Sequence, residues 1–106
     1  MVTMTPPVRA VYKQLLSAAK RIGPFTEDPK KTSIHLIRRS AFAGVATRKN
    51  ALILTIKSAT DIKSPRILKR EQASANRWRL EVPLEVPNQI DAELESWLHA
   101  ALELAS

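Results

Sequence analysis

A serine, a histidine and a set of cationic side chains are the groups in this sequence with chemistry to offer. Ser33 and His35 stand two apart in the stretch "KKTSIHLIRRSAFAGV", and the other histidine, His99, lies far downstream. A hydroxyl beside an imidazole is the beginning of a nucleophile and its base, but the pair needs a third group to orient the ring. No acid in the stretch supplies that group, so the sequence assigns no catalytic residue. Two distant histidines among scattered carboxylates match no metal-ligand spacing. The absence of cysteine excludes disulfides, thiolate metal sites and cysteine nucleophiles. Only Gly23 and Gly44 are present, so there is no glycine-rich phosphate loop. The expectation is a protein without enzyme activity, metal or cofactor.

The cations are the stronger signal. Up to Arg79 there are 17 basic residues against four acidic ones, a net +13. From Leu80 onward there are six acidic residues and no Lys or Arg, a net −6. A basic body with an acidic end attracts polyanions on one side only. The opening stretch is itself bracketed by Lys30-Lys31 and Arg38-Arg39. A solvated, solubilising surface is the plain alternative.

These side chains need elements to hold them. A length of 106 residues suits one domain over 1–106, and residues 1–5 are expected to form a flexible N-terminus. No apolar run reaches the roughly 18 residues of a membrane span. The start "MVTMTPPVRAVYKQ" has no apolar leader segment, so a cytoplasmic location is expected.

Thr5 is placed as a helix cap, with Pro6-Pro7 in the first turn. Val8, Val11, Tyr12, Leu15, Leu16, Ala19 and Ile22 then recur at helical spacing, and Gly23-Pro24 ends the helix. "FTEDPKK" holds a brief edge strand before Pro29. In the next strand Thr32, Ile34 and Leu36 share one face, and Ser33, His35, Ile37 and Arg39 share the other. "AFAGV" continues the sheet, with Gly44 as the site of a bulge or close backbone approach. "TRKN" turns the chain, Asn50 tolerating positive φ. "ALILTIK" buries Leu52, Leu54 and Ile56. "RILKREQ" is read as a short strand opened by Pro65. "RWRLEVPLEV" alternates most cleanly, with Trp78, Leu80, Val82, Leu84 and Val86 on one face. Pro83 lacks a donor, so the later half of that strand belongs at a sheet edge. The last helix is expected to start at Asn88, with Asp91 as a capping-box variant and Ile90, Leu94, Trp97, Leu98, Ala101 and Ala105 as its apolar stripe. Both tryptophans are placed in the core. The fold class is α+β: a two-layer sandwich with an N-terminal helix, an antiparallel sheet of about five strands and a C-terminal helix.

Laid out in this way, "KKTSIHLIRRSAFAGVATRKNALILTIK", "SPRILKREQASANRWRLEV" and "DAELESWLHAALELA" resemble the bacterial family known as domain of unknown function 5655. The resemblance runs from about Val8 to the C-terminus. Its most specific pieces are the Lys-x-Ser-Ile-x-Leu run, the Ala-Phe-Ala-Gly turn and Ser64-Pro65-Arg66. The family pattern commonly has a proline where this chain has Thr47 and a tyrosine where it has Leu102. The resemblance implies no established activity. The layout is similar to small two-layer domains of the secretion-chaperone-like kind, most of which bind other molecules.

If the helices cover one face of the sheet, the other carries Lys31, Ser33, His35, Arg39, Lys57, Arg77 and Arg79. The leading expectation is a binding or adaptor domain that engages a protein partner, or a second copy as a homodimer, through this face. Ile37, joined by Val45 or Ile53, would form its apolar spots, and the acidic helix of one copy would meet the basic sheet of another. The alternative is nucleic acid or another polyanion held through its backbone, although the face lacks stacking aromatics. A further alternative is a small anion in a pocket between sheet and helix, rimmed by Lys30, Arg38, Arg66 and Lys69.

Overall fold

The computed structural model describes residues 4–105. Helix α1 spans Pro6–Ile22, with two prolines at its start and Gly23 just past its end. Thr5 occupies the N-cap position, but its side chain makes no capping bond; it reaches instead toward the Lys49 carbonyl, 3.5 Å away. Gly23 is extended, with φ 172, so positive φ is not the reason for a glycine there. A Cβ at Gly23 would stand 2.9 Å from Leu102 Cδ2, so the close approach of the end of α1 to the Leu102 side chain of the C-terminal helix leaves little room for a side chain. Residues 1–3 of the expected flexible N-terminus lie outside the described residues. Met4 packs against the core.

Six strands follow among the described residues: β1 Thr26–Pro29, β2 Ser33–Ile37, β3 Ala41–Thr47, β4 Leu52–Ser58, β5 Lys69–Ser74 and β6 Arg77–Leu84. All pairings are antiparallel, and the order across the sheet is β1-β2-β3-β4-β6-β5. A short 3-10 turn at Pro87–Gln89 leads to helix α2, Ala92–Ala105. The α+β sandwich expected from the sequence therefore holds, with six strands rather than about five.

Period-2 alternation sends Leu52, Leu54 and Ile56 of β4 and Leu80, Val82 and Leu84 of β6 to one face. They form one buried cluster with Val11 and Leu15 of α1 and Leu94 and Leu98 of α2, and all ten are fully buried. Each such side chain contributes about 1.5–3 kcal/mol through burial. The opposite face of the sheet carries the polar set.

Phe42 breaks the alternation. The β2–β3 register slips between Leu36 and Ile37, because Leu36 pairs with Ala43 while Ile37 pairs with Ala41. Phe42 is the extra residue of this bulge. A regular ladder would send it to the same face as Gly44; the bulge turns it into the core, where it is 2% exposed. Its ring meets Phe25 edge to face at 6.1 Å. The bulge expected at Gly44 thus lies two residues earlier. Asn50 uses no positive φ either, since none of the described non-glycine residues does.

The later half of β6 is an edge, as Pro83 implied. Strand β5 reaches only to the Lys69–Glu81 pairing, so Pro83 has β4 on one side and no strand on the other. Strand β5 begins at Lys69, later than expected, because Pro65 and Arg66 form a turn and Ile67 drops into the core. Helix α2 begins later too. Asn88 lies in the 3-10 turn, and the cap is Asp91, whose Oδ1 accepts the Leu94 N–H at 3.0 Å.

The tryptophans depart from their expected place. Both are half-buried and pack against the core from its margin. Trp97 lies beneath the Arg66 guanidinium at 5.6 Å, and Trp78 lines a surface depression.

Candidate functional site

Strand register builds the polar face in rows. One row runs Ser33, Ala46, Ile53, Pro83 across β2, β3, β4 and β6. The next runs His35, Gly44, Thr55, Glu81. A third places Lys57 directly opposite Arg79, with Glu71 beyond it on β5. Strand β3 contributes only Gly44 and Ala46 to the centre of this surface, so the floor sinks between β2 and β4. The resulting open depression has a volume of about 370 Å³, with Ser33, His35, Thr55, Lys57 and Arg79 around it. Gly44 is not forced by packing: a Cβ there would sit 3.9 Å from His35 Cδ2, an ordinary contact.

A second depression of about 230 Å³ lies toward the end of the sheet. Lys57, Arg77, Trp78 and Arg79 line it on the sheet side, and Leu104 and Ala105 of α2 close it. Lys57 and Arg79 border both depressions. Like charges directly opposite on neighbouring strands destabilise a sheet. The nearest carboxylate, Glu71, is 3.7 Å from Arg79, and both side chains are more than half exposed. Lys57 has no carboxylate partner among the described residues. The C-terminal end of the α2 dipole faces the second depression and favours cations there.

Elsewhere the charges are largely settled. Among the described residues, eight of the ten acidic side chains have a partner within the chain. Glu27 accepts the Tyr12 hydroxyl at 2.6 Å, and burial together with that carboxylate pushes the phenol well above its ordinary range. Asp61 holds Lys63 and Arg70. On α2, Glu95 pairs with Arg21, Glu103 with His99, and Asp91 and Glu93 with Arg66.

The sequence candidates separate accordingly. His35, Lys57, Arg77 and Arg79 come together around the two depressions. Lys31 does not join them: it sits in the β1–β2 connection, at the opposite end of the sheet from Arg77. Arg39 is not on the β2 face, because β2 ends at Ile37. It lies in the following turn, where its N–H bonds the Ala105 carbonyl at 3.3 Å, near the same end of the sheet as Lys57. Of the apolar spots, Val45 belongs to the core at 1% exposure, and Ile53 is on the polar row but only 6% exposed.

The second set, Lys30, Arg38, Arg66 and Lys69, cannot rim one pocket. Lys30 follows edge strand β1 and Lys69 opens edge strand β5, at opposite sides of the sheet. Lys30 pairs with Asp28 at 2.8 Å, and Arg38 donates to the Pro24 carbonyl. Arg66 is committed to Asp91, Glu93 and the Gln89 carbonyl.

An acid does stand opposite His35, contrary to expectation: Asp28 is its register partner on β1. That carboxylate is taken up by Lys30, and among the described residues neither Ser33 nor His35 makes a side-chain hydrogen bond. No group of His, Asp and Glu among the described residues is arranged to hold a metal, and no described helix is long and apolar enough to cross a membrane.

Sequence reasoning missed Thr55 as part of the polar face and Trp78 as part of the depression at the end of the sheet. The signal for Trp78 was its position between Arg77 and Arg79, which its apolar-face parity outweighed. The signal for the trough was the alternation of small residues in "AFAGVAT".

A family model described as "Domain of unknown function (DUF5655)" matches residues 3–105. No curated protein and no solved structure matches the chain.

Proposed function

The chain belongs to the DUF5655 family, and we propose that it is a non-enzymatic binding module that takes an anionic partner on the open face of its sheet. The observation that carries this reading is the Lys57–Arg79 pair. Two cations oppose each other on adjacent strands, Lys57 without a carboxylate partner among the described residues and Arg79 with only the exposed Glu71 at 3.7 Å, and both depressions meet there. A sheet that keeps such a pair carries a local charge repulsion that a bound anion relieves. Arg77 adds a third cation beside it, and Gly44 and Ala46 leave room for a ligand to approach the backbone.

A protein partner or a second copy docked through the same face has weaker support. Of its apolar anchors Val45 and Ile53 are buried and Ile37 is only partly exposed, and the α2 carboxylates that would meet the basic sheet are already engaged within the chain.

The test is fluorescence anisotropy with labelled DNA and RNA across a salt series. Every phosphate that the protein neutralises adds about −0.7 to −0.9 to the slope of log affinity against log salt. A slope matching two to four phosphates is expected from this cluster, with binding abolished in the Lys57→Glu, Arg79→Glu double variant. Salt-independent binding, or full binding by that variant, excludes this face as the anion site.

A further inference from the structure

We propose that the anionic partner is a single-stranded nucleic acid, with one base stacked on Trp78 and the adjoining phosphate held between Lys57 and Arg79. This rests on the anionic-partner reading above and narrows it to one chemistry.

Three observations converge. The first is the position of Trp78. It is half-buried at the core margin rather than within it, and it lines the same depression as Lys57, Arg77 and Arg79. An indole beside three cations offers a stacking surface next to phosphate-binding groups. Leu104 and Ala105 give that depression an apolar wall suited to the second face or edge of a base.

The second is the convergence of charge. Directly opposed residues on neighbouring antiparallel strands place their Cβ atoms about 4.5–5.5 Å apart. The long side chains of Lys57 and Arg79 can therefore close on one phosphate, the guanidinium offering a bidentate grip.

The third is the shape. The two depressions, of about 370 and 230 Å³, are open and adjoin at the same two cations. An enclosed pocket suits a small molecule buried over most of its surface. Two adjoining open depressions suit a chain that runs across the sheet. Past the cations, Ser33, His35 and Thr55 surround the wider depression, and their polar atoms can meet the sugar or the next base. A duplex satisfies the cations but keeps its base faces in the stack, so it gains nothing from Trp78.

The experiment uses the full chain and three probes: a labelled oligothymidylate of about 12 nucleotides, within the span single-strand binders cover, its duplex, and inorganic polyphosphate as a competitor without bases. The expected result is at least tenfold tighter binding of the single strand than of the duplex, with quenching of tryptophan fluorescence. Trp78→Phe keeps a ring and should keep most of the affinity. Trp78→Leu keeps an apolar filler, and should weaken single-strand binding about tenfold or more while leaving duplex binding unchanged. Circular dichroism checks that both variants fold. Equal binding of single strand, duplex and polyphosphate, or an unchanged affinity in Trp78→Leu, overturns this inference and leaves the anionic-partner reading standing. No binding of any of the three at low salt overturns both.

Discussion

The Arg66 guanidinium lies over the Trp97 ring at 5.6 Å while its Nη1 bonds both Asp91 and Glu93. One side chain thus ties the segment before β5 to the first turn of α2. Its carboxylate partners are half-exposed, at 50% and 55%, so each ion pair is screened and contributes less than about 1 kcal/mol. The ring contact adds about 0.5–1 kcal/mol and the bond to the Gln89 carbonyl a similar amount. Arg66→Ala should therefore cost about 2 kcal/mol in urea denaturation, and Arg66→Lys should recover less than half, since an ammonium lacks the planar fork. A loss below about 0.5 kcal/mol would mean that the network is ornamental to stability. Binding to the sheet face should not change, because Arg66 borders neither depression.

Asp91 gives a pH signature. The Leu94 backbone N–H bonds its carboxylate, Arg66 adds a second hydrogen bond, and together they hold its pKa below the ordinary 3.8. A carboxylate whose folded pKa is depressed contributes stability that is fully present above the unfolded value. That contribution is lost as pH falls through the folded one. Asp91→Asn keeps a capping oxygen and removes the charge. Wild type should exceed Asp91→Asn in melting temperature at pH 7, and the gap should narrow and close as pH falls below the ordinary carboxylate range and through the depressed folded pKa. A gap that persists undiminished in acid would assign the difference to something other than the charge.

The helices, the two best strands and the polar face are legible in the sequence because each rests on local rules. Pro6-Pro7 and Gly23 mark the ends of α1, and period-2 burial of Leu52, Leu54 and Ile56 marks β4. What local rules do not carry is strand order. Charge alone groups Lys30 and Lys69 as one rim, yet they lie at opposite edges of the sheet, because β6 inserts between β4 and β5. Conformational freedom points to Gly44 as the bulge. The core instead requires Phe42 to turn inward, and burying an aromatic ring outweighs the loss of regular pairing. Trp78 shows the same limit from the other side. Its parity points to the core face, but it lies near the end of the sheet, where helix cover runs out.

Gly44 separates stability from binding. No contact forbids a side chain there: the nearest atom to an added Cβ is 3.9 Å away, and the backbone has no positive φ. Glycine in a strand interior costs about 0.5–1 kcal/mol relative to alanine. Gly44→Ala should therefore stabilise the domain by that amount, and Gly44→Val should fold at least as well as wild type while filling the trough beside His35. Reduced ligand affinity in Gly44→Val, with an undiminished melting temperature, is the expected pair of results. A destabilised Gly44→Ala would show that the β3 floor needs its glycine for packing after all.

Phe42 tests the bulge. The ring is 2% exposed and stacks edge to face on Phe25. Phe42→Ala should cost about 3–5 kcal/mol, the loss expected for a fully buried ring. Trp97→Ala should cost less than that, because Trp97 is only half-buried and packs on the core from its margin, beneath Arg66. The order of the two losses, measured by urea denaturation, distinguishes the observed placement from one with Trp97 at the centre of the core.

Lys57 sets stability against function most sharply. Its opposition to Arg79 destabilises the sheet, and reversing its charge converts a repulsive cross-strand pair into an attractive one. Lys57→Glu should therefore raise stability by about 0.2–1 kcal/mol. The same change places a carboxylate between the two depressions and should abolish binding of an anion there. Arg77→Glu provides the comparison. It borders only the second depression, and its register partner is Ser74 rather than a cation. It should weaken binding without the gain in stability. A site selected for its ligand tolerates repulsion in the free protein, whereas a merely solvated face has no reason to keep it. Lys57→Glu that is both no more stable and fully able to bind would remove the argument for this pair.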